Sequence, residues 1–147
     1  MFALLNEPRG AETTARMNAL YPEVMRAIRK VSSKRTILLS PGDWGSVKAI
    51  AELRISSEWE NVVVTAHCYE PFLFTHQGAG CTGGLTGTTG IVFPGPPLVP
   101  VVAANDGPER TKEWARAHNT AATESNLSRV PALSGLLAEA AVWWRRE

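Results

Sequence analysis

The sequence predicts an α/β protein: a partial (β/α) barrel of about four β/α units, half of a full barrel, carrying a long loop rich in glycine and proline. Three observations predict it. Short apolar runs alternate with stretches whose apolar residues recur at helical spacing. Each run ends in polar or aromatic residues, as parallel strands do where an α/β fold places its chemistry. The 147 residues make one domain of ordinary size, yet fall short of the roughly 250 of a complete eight-unit barrel. Parallel strands joined by right-handed crossovers follow from such alternation.

Composition narrows the partners. With 44% hydrophobic and 20% charged residues the chain reads as a soluble globular protein, and a net charge of +1 gives no reason to expect nucleic acid or an acidic membrane. No basic region precedes a long apolar core, and no apolar run approaches the ~20 residues of a membrane span, so neither an export signal nor an anchor is read. Cys68 and Cys81 could close a disulfide or stay free; spacing leaves both open. His67, His76 and His118 are scattered, and no paired metal-ligand spacing occurs, so no metal or cofactor is expected.

The first apolar run, Phe2-Ala3-Leu4-Leu5, reads as a parallel strand covered on both faces and ends in Asn6-Glu7-Pro8. Asn6 and Pro8 could simply make a turn with Glu7 solvated. Residues 11–34 form an amphipathic helix with Met17, Leu20, Tyr21, Val24, Met25, Ile28 and Val31 on its stripe; Pro22 kinks it or starts its main part. Arg26, Arg29 and Lys30 lie off the stripe, on a solvated face.

Thr36-Ile37-Leu38-Leu39-Ser40 is the second strand, followed by Pro41-Gly42-Asp43-Trp44-Gly45 and a short helical stretch. Trp44 could be a flat platform for a sugar ring or a cap on the core. The β-branched run in residues 61–66 is the clearest strand, and alternation beyond it places His67 and Tyr69 on one face with Cys68 on the other. His67 could be a structural histidine or part of a site shared with Tyr69.

Residues 71–107 are a long glycine- and proline-rich connection without the lysine of a phosphate loop; a rim walling a substrate cleft fits it. A helix over residues 109–118 follows, then a weak strand candidate at Thr120-Ala121-Ala122-Thr123-Glu124. A last helix from about Ser128 presents Leu133, Leu136, Leu137, Ala140, Ala141 and Trp144 as a broad apolar face.

Leu5-Asn6-Glu7-Pro8, Leu38-Leu39-Ser40-Pro41-Gly42-Asp43-Trp44 and Val64-Thr65-Ala66-His67-Cys68-Tyr69-Glu70-Pro71-Phe72 resemble glycoside hydrolase family 5, most of all its bacterial endo-β-1,4-glucanases. The resemblance covers residues 2–79, continues in patches through 109–117, and is poor beyond. It implies the carboxyl-terminal half of that family's barrel, with Glu7 as acid/base, Asn6 as a ligand of the sugar 2-hydroxyl, and His67 and Tyr69 orienting sugar and nucleophile. The family's aromatic third residue in that last motif is Cys68 here. Glu124 falls within about two positions of the family's nucleophile, without its flanking glycines.

The resemblance further implies a secreted enzyme that binds a β-glucan polysaccharide or oligosaccharide and cleaves it by two carboxyl groups about 5–5.5 Å apart. The acid must hold its proton near neutrality, through desolvation or a neighbouring carboxylate. Half a barrel leaves open strand edges and an uncovered interior, which predicts a homodimer or larger symmetric assembly, the alternative being a monomeric sheet covered by the long loop. A catalytically inactive, truncated cellulase homologue that at most binds carbohydrate is the competing expectation, since fold and partial motif do not guarantee activity. An acyl-transfer hydrolase has less support, for want of a G-x-S-x-G elbow.

Overall fold

Three short apolar runs pair as a parallel sheet in the computed structural model, which describes residues 1–82, 89–95, 99–103, 108–120 and 126–144. The strands are β1 (Phe2–Ala3), β2 (Ile37–Leu39) and β3 (Val62–Val64), in the order β1-β2-β3. Phe2 registers with Ile37, and Ile37 with Val62. The parallel sheet is the one expected, with three strands among the described residues. Of the fourth candidate, Thr120 caps a helix and residues 121–125 lie outside the described residues.

The described chain divides into two compact units, Met1–Cys68 with Leu137–Glu147, and Tyr69–Leu136. In the first, helix α1 (Thr14–Val31) starts where the Thr13 hydroxyl accepts the Arg16 amide at 3.3 Å, the usual use of threonine as an N-cap. The helix runs through Pro22, which lacks the amide for a bond one turn back. Met17, Tyr21 and Met25, four apart, bury against Ile37, Leu39, Leu53 and Trp143. Each such side chain contributes about 1.5–3 kcal/mol by leaving water.

The apolar stripe is narrower than its spacing suggests: Leu20 is exposed, and so is Val31, the last helical residue. Arg29 departs from the solvated face expected of it. It is partly buried and donates to the carbonyls of Arg35 and Glu60 at 2.7 and 2.5 Å, tying the entry of β2 to that of β3.

β1 also differs from expectation. Phe2 and Ala3 are exposed, because a strand at the edge of the described sheet is paired and packed on one side only. Leu4 continues the ladder, its amide donating to the Leu38 carbonyl at 3.2 Å, and packs on the core. Past β2, Gly42 must be glycine: a Cβ there would lie 2.4 Å from the Thr14 backbone nitrogen. The Gly42 amide donates to the Thr14 hydroxyl at 3.0 Å, fixing the post-β2 loop to the start of α1.

The second unit is built on α2 (Phe72–Thr75), α3 (Glu109–Asn119) and the first part of α4 (Val130–Trp144). Leu73, Ile91 and Ala115 are its core, so the glycine-rich connection contributes buried residues rather than only a rim. Gln77 brackets Ile91 through both backbone groups at 2.9 and 3.1 Å. Asn119 does the same for Val101, each bond 2.8 Å. On α4, Ala132 and Trp143 are buried and Leu137 is exposed, so among the described residues the buried face differs from the broad one expected. Cys68 and Cys81 are exposed free thiols, and no described helix is long and apolar enough to cross a membrane.

A polar cluster lies beneath α3, where His118 and Ser128, both buried, share a hydrogen bond of 2.6 Å between Nδ1 and Oγ. The Arg129 guanidinium donates to the carbonyls of His118 and Thr120. Burial, then the Arg129 charge, holds the His118 pKa below its ordinary 6.5. The unfolded chain therefore takes up a proton there that the native chain refuses, and stability falls as pH drops below about 6.5 toward the folded value. We expect the urea midpoint to be lower at pH 5.5 than at pH 7.5, and the difference to shrink in His118→Gln. An equal drop in both proteins would assign the pH dependence elsewhere.

Candidate functional site

The polar residues that close the three strands meet at one end of the first unit's sheet. Glu7 follows β1 by way of Asn6 and takes a left-handed backbone, φ 51°. Such a conformation is uncommon for a residue with a β-carbon and persists where the surroundings impose it. His67 follows β3, and its Nδ1 lies 2.8 Å from Glu7 Oε1. Both are partly buried, with side chains 31% and 26% exposed for His67 and Glu7. One proton is shared across this contact: either imidazole N–H donates to carboxylate, or carboxylic acid donates to imidazole.

The loop between β2 and the short 3-10 helix (Val47–Glu52) holds the two partners together. Asp43, Trp44 and Gly45 are consecutive left-handed residues, with φ of 53°, 62° and 67°. They turn the chain so that the Trp44 amide donates to the Pro8 carbonyl at 2.7 Å, one residue beyond Glu7. On the other side, the His67 amide donates to the Gly45 carbonyl at 2.7 Å, and the Val47 amide to the His67 carbonyl at 2.9 Å. Ser46 and His67 thus form an isolated parallel bridge that prolongs β2·β3 pairing past the strands.

Behind this frame, the Ser40 and Thr65 hydroxyls pair at 2.9 Å, and the buried Tyr21 hydroxyl donates to the Ser40 carbonyl at 2.6 Å. Burial raises the Tyr21 pKa above its ordinary 10.0, with the Ser40 backbone bond opposing, so the phenol stays a neutral donor. The chain of contacts fixes the ends of β2 and β3 from below.

Of the site residues expected from sequence, the first unit brings together Glu7 and His67, with Asn6 exposed beside Glu7. Trp44 is 47% exposed and belongs to neither hydrophobic cluster. Its indole is not bare, since the Arg9 guanidinium carbon stands 5.1 Å from the ring centre. Tyr69 opens the second unit. It packs edge-on to His76, ring centres 5.1 Å apart, and its carbonyl accepts the Thr75 hydroxyl at 2.6 Å. Regular pairing ends with the His67 bridge, so strand alternation does not extend to Tyr69. Glu124 lies outside the described residues. Sequence reasoning missed Arg9, whose only signal was its place two residues after Glu7, and the Tyr21–Ser40–Thr65 support, signalled by hydroxyl residues directly past two strands.

A parallel β/α sheet here delivers a carboxyl group, an imidazole and a half-exposed indole to the carboxyl ends of its strands, where β/α folds place their chemistry. The family model for cellulase (glycosyl hydrolase family 5) matches residues 1–131, and the chain belongs to that family. Endoglucanase 3 of Fibrobacter succinogenes is 39% identical over 84 residues, which are 55% of this chain and 13% of that protein. Endoglucanase C of Acetivibrio thermocellus is 35% identical over 78 residues, 53% of this chain and 22% of its own length.

Among solved structures, Cel5A of Thermotoga maritima in complex with cellobiose superposes with a TM-score of 0.60 at 38% identity, over 65% of this chain and 31% of that one. The cellulose synthase subunit Z of Clostridioides difficile, at 25% identity and TM-score 0.59, covers 96% of this chain and 49% of that one. The chain therefore spans less than half the length of these relatives.

Proposed function

We propose that the protein is a glycoside hydrolase that cleaves β-1,4-glucan by a retaining, two-carboxylate mechanism. The observation that carries the reading is the 2.8 Å contact between Glu7 and His67 at the carboxyl end of a parallel sheet. Glu7 is the acid/base: it protonates the leaving glycosidic oxygen and later takes a proton from the attacking water. His67 holds that carboxyl group in place and shares its proton. Asn6 binds the sugar 2-hydroxyl, Trp44 stacks a pyranose, and Tyr69 orients the sugar and the nucleophile. The nucleophile is Glu124, which attacks the anomeric carbon.

The test is reducing-sugar release from a soluble β-1,4-glucan by the full chain, beside Glu124→Gln. Release by the parent and its loss in the variant are expected. No release by the parent would favour a second reading, a carbohydrate-binding relative without activity.

The working form in this reading is a homodimer or larger homo-oligomer. Supporting it, Phe2 at the edge strand is 48% exposed and Val63 on β3 is 45% exposed, apolar surface that a second copy would cover. Light scattering coupled to size exclusion is expected to give at least twice the 15.9 kDa chain mass. A monomeric mass that persists at high protein concentration would refute the assembly.

A further inference from the structure

Arg9 holds the same indole from one direction that the main chain holds from another. Its guanidinium carbon lies over the Trp44 ring, 5.1 Å from the centre. The residue before it, Pro8, receives the Trp44 amide at 2.7 Å. Trp44 is half-exposed and belongs to neither hydrophobic cluster of the described residues. A half-exposed tryptophan samples several rotamers unless something fixes it, and that freedom is lost when a ligand binds. A cation over one aromatic face removes the freedom in advance and leaves the opposite face open.

We propose that Arg9 is a positioning residue for Trp44: it covers one indole face and presents the other, in fixed relation to Glu7, to a pyranose of the glucan. The inference rests on the reading of Trp44 as a sugar contact and deepens it. Arg9 acts through the ring and makes no bond to sugar. Its loss weakens sugar binding by about two- to fivefold, the factor that an exposed cation–aromatic contact is worth. Lysine restores part of the effect, since it keeps the charge and loses the planar stack.

The experiment measures calorimetric affinity for cellopentaose in the full chain, Arg9→Ala, Arg9→Lys, Trp44→Ala and the Arg9→Ala/Trp44→Ala pair. Alongside it, NMR relaxation of the Trp44 indole N–H is recorded in the sugar-free parent, Arg9→Ala and Arg9→Lys. The expected result is weaker binding in Arg9→Ala, partial rescue by lysine, no further loss once Trp44 is gone, and a more mobile indole in Arg9→Ala than in the parent. A loss from Arg9→Ala that persists without Trp44 overturns the proposal, because Arg9 would then meet the sugar itself. Indole relaxation unchanged by Arg9→Ala overturns it as well, even where Trp44→Ala weakens binding and the sugar reading stands. Intact binding in Trp44→Ala, or no binding by the parent, removes the reading of Trp44 and the proposal with it.

Discussion

Glu7→Gln is expected to lower kcat on a soluble β-1,4-glucan by about 10²–10⁴-fold near neutral pH, the usual worth of a positioned general acid/base. Glutamine keeps the size of the side chain and an oxygen that can accept from His67 Nδ1, so the frame around the 2.8 Å contact has little reason to move. What it loses is the proton. KM should therefore change little, and the loss should fall on the chemical step. Steady-state kinetics on the same substrate separates the two parameters. A variant that retains the parent's kcat would remove Glu7 from the mechanism, and one that raises KM alone would make it a binding residue.

The largest stability effect is expected at Trp143. This side chain is 6% exposed, packs in the core with Met17, Tyr21, Met25, Ile37, Leu39 and Leu53, and donates its indole N–H to the Leu53 carbonyl at 3.0 Å. Trp143→Ala empties a large volume in a core too densely packed to collapse into it, at a cost of about 3–5 kcal/mol. Trp143→Phe keeps most of the apolar area and leaves the Leu53 carbonyl without its donor, costing about 1–3 kcal/mol. Urea unfolding of the three proteins gives the order parent, Phe, Ala. Equal midpoints for parent and alanine variant would mean that the end of α4 is not part of the first unit's core.

Much of this was legible in the sequence for physical reasons. Val62, Val63 and Val64 crowd a helix and suit a strand, and Met17, Tyr21 and Met25 repeat at the spacing of one helical face. Asn6-Glu7-Pro8 and His67 stand directly past such runs, which is why their meeting could be anticipated. Burial was less legible. Phe2 has the composition of a covered strand, but exposure depends on neighbours that local sequence does not specify. Arg29 looked like ordinary surface charge and Arg9 drew no notice, since their partners are carbonyls and a ring distant in sequence or set by backbone handedness. The spacing of α4 gave no sign of Trp143 as an inward residue, because its place is set by where Leu53, distant in sequence, offers a carbonyl.

The left-handed run Asp43-Trp44-Gly45 has one more consequence. Glu7 and His67 are sixty positions apart, yet His67 and Pro8, the residue after Glu7, are both stitched to this three-residue segment by main-chain bonds that are blind to side-chain identity. Its length and handedness are therefore constrained more tightly than its chemistry. Side chains such as that of Asp43 can be exchanged for others that tolerate the left-handed region, but an inserted or deleted residue would displace the Trp44 amide and the Gly45 carbonyl together. Loop transplantation between relatives would succeed or fail here on residue count: a donor segment of equal length could carry new side chains to this end of the sheet, and a longer one would pull Glu7 and His67 apart.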